Sequence, residues 1–275
     1  MSFRDVKISV LSENTTYKKG FRAEHGLSLH VETENGNVLF DTGQSDLMVK
    51  NAGRLNIDLS RVEAVFLSHG HYDHTGGLPS LSMRSVPVYA HPDVFLQRYT
   101  IKENEQPRSI GIPVERDDLE QQGFQFILNK EPVEYKEFIL TGEVPQSVDF
   151  ETPARFFFLD RTGRCLDPLQ DDQSLYFQTK KGLCVLLGCC HSGLINTLSY
   201  ILRRTGERRF HWIIGGTHLM NADEVRIKRT LRRLRGMKFD KFSPLHCHGV
   251  QASAIFNTTL QDRYVPLCCG DIVSV

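Results

Sequence analysis

The residues best equipped for chemistry stand together in Ser68-His69-Gly70-His71-Tyr72-Asp73-His74, where three histidines and an aspartate fall within six residues directly after the apolar run 64–67. Imidazole nitrogens and carboxylate oxygens are donors that divalent ions such as zinc take readily. In a loop that follows a strand, residues two apart can aim their rings at one ion. His69 and His71 therefore read as ligands of a first ion, and Asp73 and His74 can reach a second. Gly70, Gly76 and Gly77 suit a tight ligand loop. Three later segments, 186–191, 213–218 and 243–248, each carry a histidine where an apolar run opens into polar residues. They offer His191, His218, His246 and His248. Asp73 and His218 are the candidates for a catalytic role, and His218 and His248 could also bind substrate.

Such donors need strands and helices to hold them. Short β-type runs at 7–11, 27–32, 37–40 and 64–67 alternate with helical stretches, which predicts a sheet-rich α/β domain. Ser45 or Asp46 can cap a helix through Asn51, and Ser192 can cap another, running to Arg204 with Leu194, Ile195, Leu198 and Ile201 on one stripe. A third helix is expected over 221–235. Its Arg226, Lys228, Arg229, Arg232, Arg233 and Arg235 read as a solvated face with cations near the C-terminus rather than as a nucleic-acid surface. The stretch 100–150, rich in Glu, Gln, Pro and Lys, predicts an insertion that covers a site or makes a plain surface excursion.

At 275 residues and 40% hydrophobic content, one domain over 1–275 can bury its own core. Lys and Arg together number 33, as do Asp and Glu. No long-range positive field is therefore available to gather nucleic acid or an anionic membrane, and recognition of an anion must be local. No run approaches the ~18 apolar residues of a membrane span. The first 15 residues mix Arg4, Asp5, Lys7 and Glu13 among apolar ones, unlike a secretory signal. Seven cysteines, four of them in the adjacent pairs Cys189-Cys190 and Cys268-Cys269, do not resemble a secreted disulfide framework, so a cytoplasmic location is expected.

The H-x-H-x-D-H run, preceded by Leu39-Phe40-Asp41-Thr42-Gly43, resembles the metallo-β-lactamase superfamily. That resemblance implies a four-layer αββα sandwich with the metals at strand ends between two halves. It implies that Asp41 orders the ligand loop from behind, and that the last ligand is the histidine of the final strand end, His246. The middle of the pattern departs from the superfamily, which usually supplies a third histidine before one strand and a bridging aspartate after the next. Here those places read Asp171-Asp172-Gln173 and Gly188-Cys189-Cys190-His191. His191 is expected to replace one missing ligand, and Asp171 or Asp172 to offer a further carboxylate oxygen. Cys189 reads as a thiolate ligand or, preferentially, as a buried strand residue, since small thiols are common in cores.

Glu24-His25-Gly26-Leu27-Ser28, Thr141-Gly142-Glu143-Val144-Pro145, Gly188-Cys189 with His191, and Leu245-His246-Cys247 are similar to one branch of that superfamily. It is named after the archaeal 7,8-dihydropterin-6-methyl-4-(β-D-ribofuranosyl)aminobenzene-5'-phosphate synthase. Within it His25 is expected to serve substrate binding. The metal set is then His69, His71, Asp73, His74, His191 and His246, holding two divalent ions. Zinc is expected, with manganese or iron also suited. The function so implied is a binuclear hydrolase of a small anionic ester or phosphoester. The alternatives are a transferase of the dihydropterin-arylamine type and a non-catalytic metal-dependent sensor of small molecules. The partner is a small-molecule substrate, and the basic helix or the 100–150 stretch could form a homodimer contact.

Overall fold

The computed structural model describes residues 6–82, 85–103, 105–152 and 156–275, so Arg4 and Asp5 lie outside it. The first half of the chain holds β1 (Lys7–Ser12), β2 (Ser28–Thr33), β3 (Gly36–Phe40), α1 (Leu47–Arg54), β4 (Val62–Phe66), α2 (Tyr72–Thr75) and β5 (Pro87–Ala90). After them come β6 (Tyr99–Thr100), β7 (Arg108–Ser109), α3 (Arg116–Gln121) and β8 (Gln125–Leu128). The second half holds β9 (Val133–Tyr135), β10 (Phe138–Leu140), β11 (Phe157–Phe158), β12 (Ser174–Thr179), β13 (Gly182–Leu187) and α4 (Leu194–Thr205). It closes with β14 (Phe210–Gly215), α5 (Glu224–Arg235), β15 (Phe239–Pro244), α6 (Val250–Leu260) and β16 (Ile272–Ser274).

Among the described residues one sheet runs β16-β1-β2-β3-β4-β5-β8 and a second runs β15-β14-β13-β12-β10-β9. Three apolar layers explain how they stack. Residues that alternate along a strand point to opposite faces. In β4, Ala64 and Phe66 face a core shared with the second sheet, while Val65 faces α1 and its neighbours. In β13, Cys184 and Leu186 join that shared core, and Leu183, Val185 and Leu187 face α4 and α5. Both sheets are therefore covered on both faces, which is why their strands read as continuous apolar runs rather than alternating ones. The layers are helix, sheet, sheet, helix, as expected. A fully buried side chain such as Phe66 or Phe138 is worth about 1.5–3 kcal/mol, so these layers form the rigid base on which a polar cleft can rest.

β3, β4 and β5 are parallel, as are β13, β14 and β15. In parallel sheets the loops beyond the carboxyl ends are where ligands bind, and every candidate histidine but His25, which lies between the antiparallel β1 and β2, is in such a loop. Backbone conformation marks the same places. Asp41 after β3, Cys190 after β13, His218 after β14 and His246 after β15 all adopt positive φ, between 49° and 61°. Such a conformation is uncommon for residues with a Cβ and is held only where the surroundings impose it.

Four local expectations are revised. Ser192 does not cap α4; the amides of Ile195 and Asn196 instead donate to the carboxylate of Glu151, both at 2.9 Å, so a remote acid does what a neighbouring hydroxyl was expected to do. Of the two caps expected for α1, Ser45 Oγ does accept from Leu47 N while the Asp46 side chain makes no cap bond, and the helix runs on to Arg54 rather than ending at Asn51. The basic helix begins at Glu224, not 221, because the Asp223 side chain accepts from Arg226 N and sets the N-cap there. The stretch 100–150 divides: β8 extends the first sheet, β9 and β10 extend the second, and the part that reaches the cleft lies near residues 100–110. Among the described residues no helix is long and apolar enough to cross a membrane.

Candidate metal centre

The loop after β4 is clamped from behind by Asp41. One carboxylate oxygen accepts from the Ser68 amide at 2.7 Å; the other takes the Ser68 hydroxyl at 2.7 Å and His74 Nδ1 at 2.7 Å. A second clamp holds the middle of the loop. Gly70 N donates to Asp171 Oδ2 at 2.8 Å, and Asp171 together with Asp167 holds the wholly buried guanidinium of Arg98, each at 2.7 Å. A Cβ on Gly70 would lie 2.2 Å from Val94 O and 2.3 Å from Arg98 Nη1, so only glycine lets the loop press on this brace. The short α2 then turns Asp73 and His74 toward the second sheet.

From that sheet come Cys189 and His191 after β13, His218 after β14, and His246 after β15. The nitrogen atoms meet head-on. His74 Nε2 lies 3.2 Å from His246 Nε2, and His69 Nε2 lies 3.3 Å from His191 Nε2 and 3.0 Å from His71 Nδ1. Asp73 Oδ2 stands 3.3 Å from His246 Nε2, 3.8 Å from His74 Nε2 and 3.1 Å from His25 Nε2. Each triple His69–Cys189–His191 and His74–Cys189–His246 has its donor atoms within 4.8 Å of one another.

Proton positions decide what these contacts mean. His74 Nδ1 faces the Asp41 carboxylate, and His246 Nδ1 faces Asn14 Oδ1 at 2.8 Å. That atom of Asn14 is an acceptor, since it also takes the Gly26 amide. His69 Nδ1 faces Ser68 Oγ at 2.9 Å, whose own hydrogen goes to Asp41. All three rings thus hold Nδ1 outward on a hydrogen-bond partner and turn Nε2 toward the cleft. Two Nε2 atoms at 3.2 Å need a positive charge between them, either a metal ion or a proton held by His74. His71 Nε2, buried, also has no partner among the described residues. The donor set fits divalent ions.

Electrostatics agree. Burial, then the neighbouring imidazoles, holds His69 and His191 well below the usual histidine range; burial and the Arg98 cation do the same for His71. These rings are neutral, as ligands must be. Burial also pulls on His74, but Asp41 and Asp73 outweigh it and carry the group up to about 9. Asp73 stays well below the carboxylate range because His74, His246 and His25 outweigh its burial.

The structure brings together His69, His71, Asp73, His74, His191 and His246, and places His25 and His218 on the wall of the same cleft. His248 is a correction. It was expected to reach substrate, but its ring packs on Phe242 and Phe256 and its Nδ1 pairs with Thr217 Oγ1 at 2.7 Å, on the helix side of the sheet. Asp171 and Asp172 are corrections too, since neither joins a donor cluster: Asp171 serves Gly70 and Arg98, and Asp172 Oδ2 accepts the Ser192 amide. Cys189 is buried, as preferred, yet its Sγ lies inside the cluster, 3.2 Å from His74 Nε2. Sequence reasoning missed Asn14 and Arg98. A polar run straight after β1 was the available signal for Asn14; a lone arginine gave none.

The cleft is a cavity of about 270 Å³ walled by Tyr72, Phe156 and Phe157, with Lys102 and Arg108 among its lining. A larger groove of about 920 Å³ opens beside Glu134, Tyr176 and Gln178. It contains none of the donor clusters, so size alone does not mark the site.

Comparison with known proteins bears on the whole chain. The sequence profile of the metallo-β-lactamase superfamily matches residues 22–142. The 7,8-dihydropterin-6-methyl-4-(β-D-ribofuranosyl)-aminobenzene-5'-phosphate synthase of Methanocaldococcus jannaschii is 29% identical, over 98% of this chain and 96% of its own. An uncharacterized protein of the same organism is 31% identical over 89% of this chain and 91% of its own. Among solved structures, a metal-dependent hydrolase of the β-lactamase superfamily superposes with a TM-score of 0.83 at 30% identity, covering 98% of this chain and 99% of the other.

Proposed function

Because the chain belongs to the metallo-β-lactamase superfamily and is an enzyme, we propose that it is a binuclear metal-dependent hydrolase of a small anionic ester or phosphoester carrying a planar ring. The observation that carries this reading is the set of inward-facing Nε2 atoms of His69, His74 and His246, each fixed by an outward bond at Nδ1. His69, His71 and His191 would hold one ion, and Asp73, His74 and His246 the other. Two such ions, zinc in the first instance, would supply Lewis acidity and lower the pKa of a water to about 7.

The chain's own groups would do the rest. Lys102 and Arg108 lie where they can neutralise an anionic group, and Tyr72, Phe156 and Phe157 can flank a ring and exclude water. Neither ring nitrogen of His218 has a hydrogen-bond partner among the described residues, which leaves it able to hold or move a proton at the substrate. His25, half-exposed at the mouth, can exchange its contact with Asp73 for one with substrate.

A second reading, group transfer, is favoured by one feature. A neighbouring cavity of about 600 Å³ shares Phe156, His218 and Asn221 with the cleft, giving room for a second reactant of the kind that the synthase relative's name implies. Metal content by plasma mass spectrometry, paired with a panel of phosphodiester, thioester and lactone substrates, separates the readings. Two ions per chain with turnover of a panel member supports hydrolysis, and two ions without turnover supports transfer. Fewer than one ion per chain sinks both and brings a sensor forward.

A further inference from the structure

Cys189 Sγ is the one donor atom common to both triples, His69–Cys189–His191 and His74–Cys189–His246. It lies 3.2 Å from His74 Nε2, on the side of the ring opposite the Nδ1 contact with Asp41. A thiol hydrogen could satisfy one such nitrogen, but five imidazoles, those of His69, His74, His191, His218 and His246, converge around this sulfur, and one S–H cannot serve them all. Among the described residues Asp171 and Asp172 join no donor cluster. Asp171 serves Gly70 and Arg98, and Asp172 turns to Ser192.

The backbone is shaped to set the sulfur there. A Cβ on Gly188 would lie 2.3 Å from Ser68 Cβ, and one on Gly216 would lie 2.7 Å from Cys247 Sγ and 3.2 Å from Cys189 Cα. These two glycines let the ends of β13 and β14 close on the ligand loop. Cys247 has a different task, since its sulfur donates to Cys189 O at 3.4 Å and accepts the His218 amide at 3.2 Å. It steadies the residue whose sulfur faces the cleft.

Resting on the binuclear reading above, we propose that Cys189 supplies a thiolate that lies between the two metal positions and joins them, in the place where a carboxylate would otherwise stand. On loading, the S–H bond breaks, sulfur–metal bonds form, and the proton leaves to solvent. A shared thiolate biases the site toward softer ions, zinc, cobalt or ferrous iron, over magnesium and manganese.

Cobalt titration into metal-free protein tests this, with absorption and metal content read together. The expected result is a near-ultraviolet thiolate-to-cobalt charge-transfer band that grows through both the first and the second equivalent. Cys189→Ser and Cys189→Asp should lose the band, Cys189→Asp should still bind two ions, and Cys247→Ser should keep the band. A wild-type protein with two cobalt ions and no band overturns the bridging thiolate while leaving the binuclear reading intact. A band complete after one equivalent makes Cys189 a terminal ligand and overturns the bridge. Fewer than two ions per wild-type chain removes the binuclear reading itself. Circular dichroism on each variant identifies any that fail to fold, and Cys189→Asp keeps the test alive should Cys189→Ser be one of them.

Discussion

His69, His71 and His191 form a trio without a carboxylate of its own, and the Arg98 cation presses on His71 from behind. A few ångströms away His74 and His246 share Asp73, and His74 leans on Asp41 as well. One side of the cleft is thus an all-imidazole nest held neutral by burial, and the other is a carboxylate-backed pair. On the binuclear reading proposed above, the difference would make the two metal positions unequal. A cation entering the second gains from anionic charge that is already in place, whereas at the first it meets only lone pairs. The carboxylate side should fill first and hold harder.

The largest effect expected is from Asp73→Asn, which removes the anion shared by His74 and His246. It should abolish tight binding at that position and lower turnover by more than about 100-fold, beyond the 10- to 100-fold typical for an outer-shell partner. His71→Ala should also lose most activity, but it should leave one tight ion per chain. Competition titration against a chromophoric chelator reads both, and equal losses in the two variants would dissolve the asymmetry. Next is Asp41→Asn, expected to weaken metal affinity about 10- to 100-fold, because an amide cannot accept the Ser68 amide, the Ser68 hydroxyl and His74 Nδ1 together.

The metal-free protein sharpens the comparison through pH. His69, His71 and His191 have native values below the usual 6.5, so the unfolded chain takes up their protons first, and stability should fall as pH drops below about 6.5. His74 behaves oppositely. Its value is raised to about 9, so its contribution is fully present below about 6.5 and is lost as pH rises through about 9. Urea melts of the chelated protein should trace both limbs, with Asp41→Asn flattening the alkaline one and leaving the acid one; the reverse pattern would contradict the assignment. The smallest effects belong to the cleft mouth. His25→Ala and Arg108→Ala should keep metal content and raise KM only a few-fold, in line with the ~0.2–1 kcal/mol of an exposed ionic contact.

The same contrast governs what could be read in advance. The first-sheet donors lie within six residues behind an apolar strand, so spacing alone exposed them. The second-sheet donors are scattered over three strand ends, and each looked like its neighbours. His246 and His248 are two residues apart, yet His246 at φ 52° opens a tight 3-10 turn that sends one ring into the cleft and the other against Phe256. No periodicity distinguishes them. Cys189 has the size and burial of a core residue, and only the fold reveals that the core at that point is a ring of nitrogens. Arg98, Asn14 and Glu151 act through partners far along the chain, where local pattern is silent. The sandwich itself was legible because β4, β13 and β14 are apolar on both faces, which only a doubly covered sheet requires.

The sequence distances inside the cleft bear on how the molecule comes into being. His69 meets His191 across 122 positions, His74 meets His246 across 172, and His246 rests on Asn14 across 232. Contacts of such separation close late, after the loop-closure entropy has been met by the surrounding layers. A nascent chain that has not yet made β15 carries an exposed cluster of histidines but no complete pocket. On the proposed metal-centre reading, capture of an ion would come last, and a loaded centre would certify that both sheets have already docked.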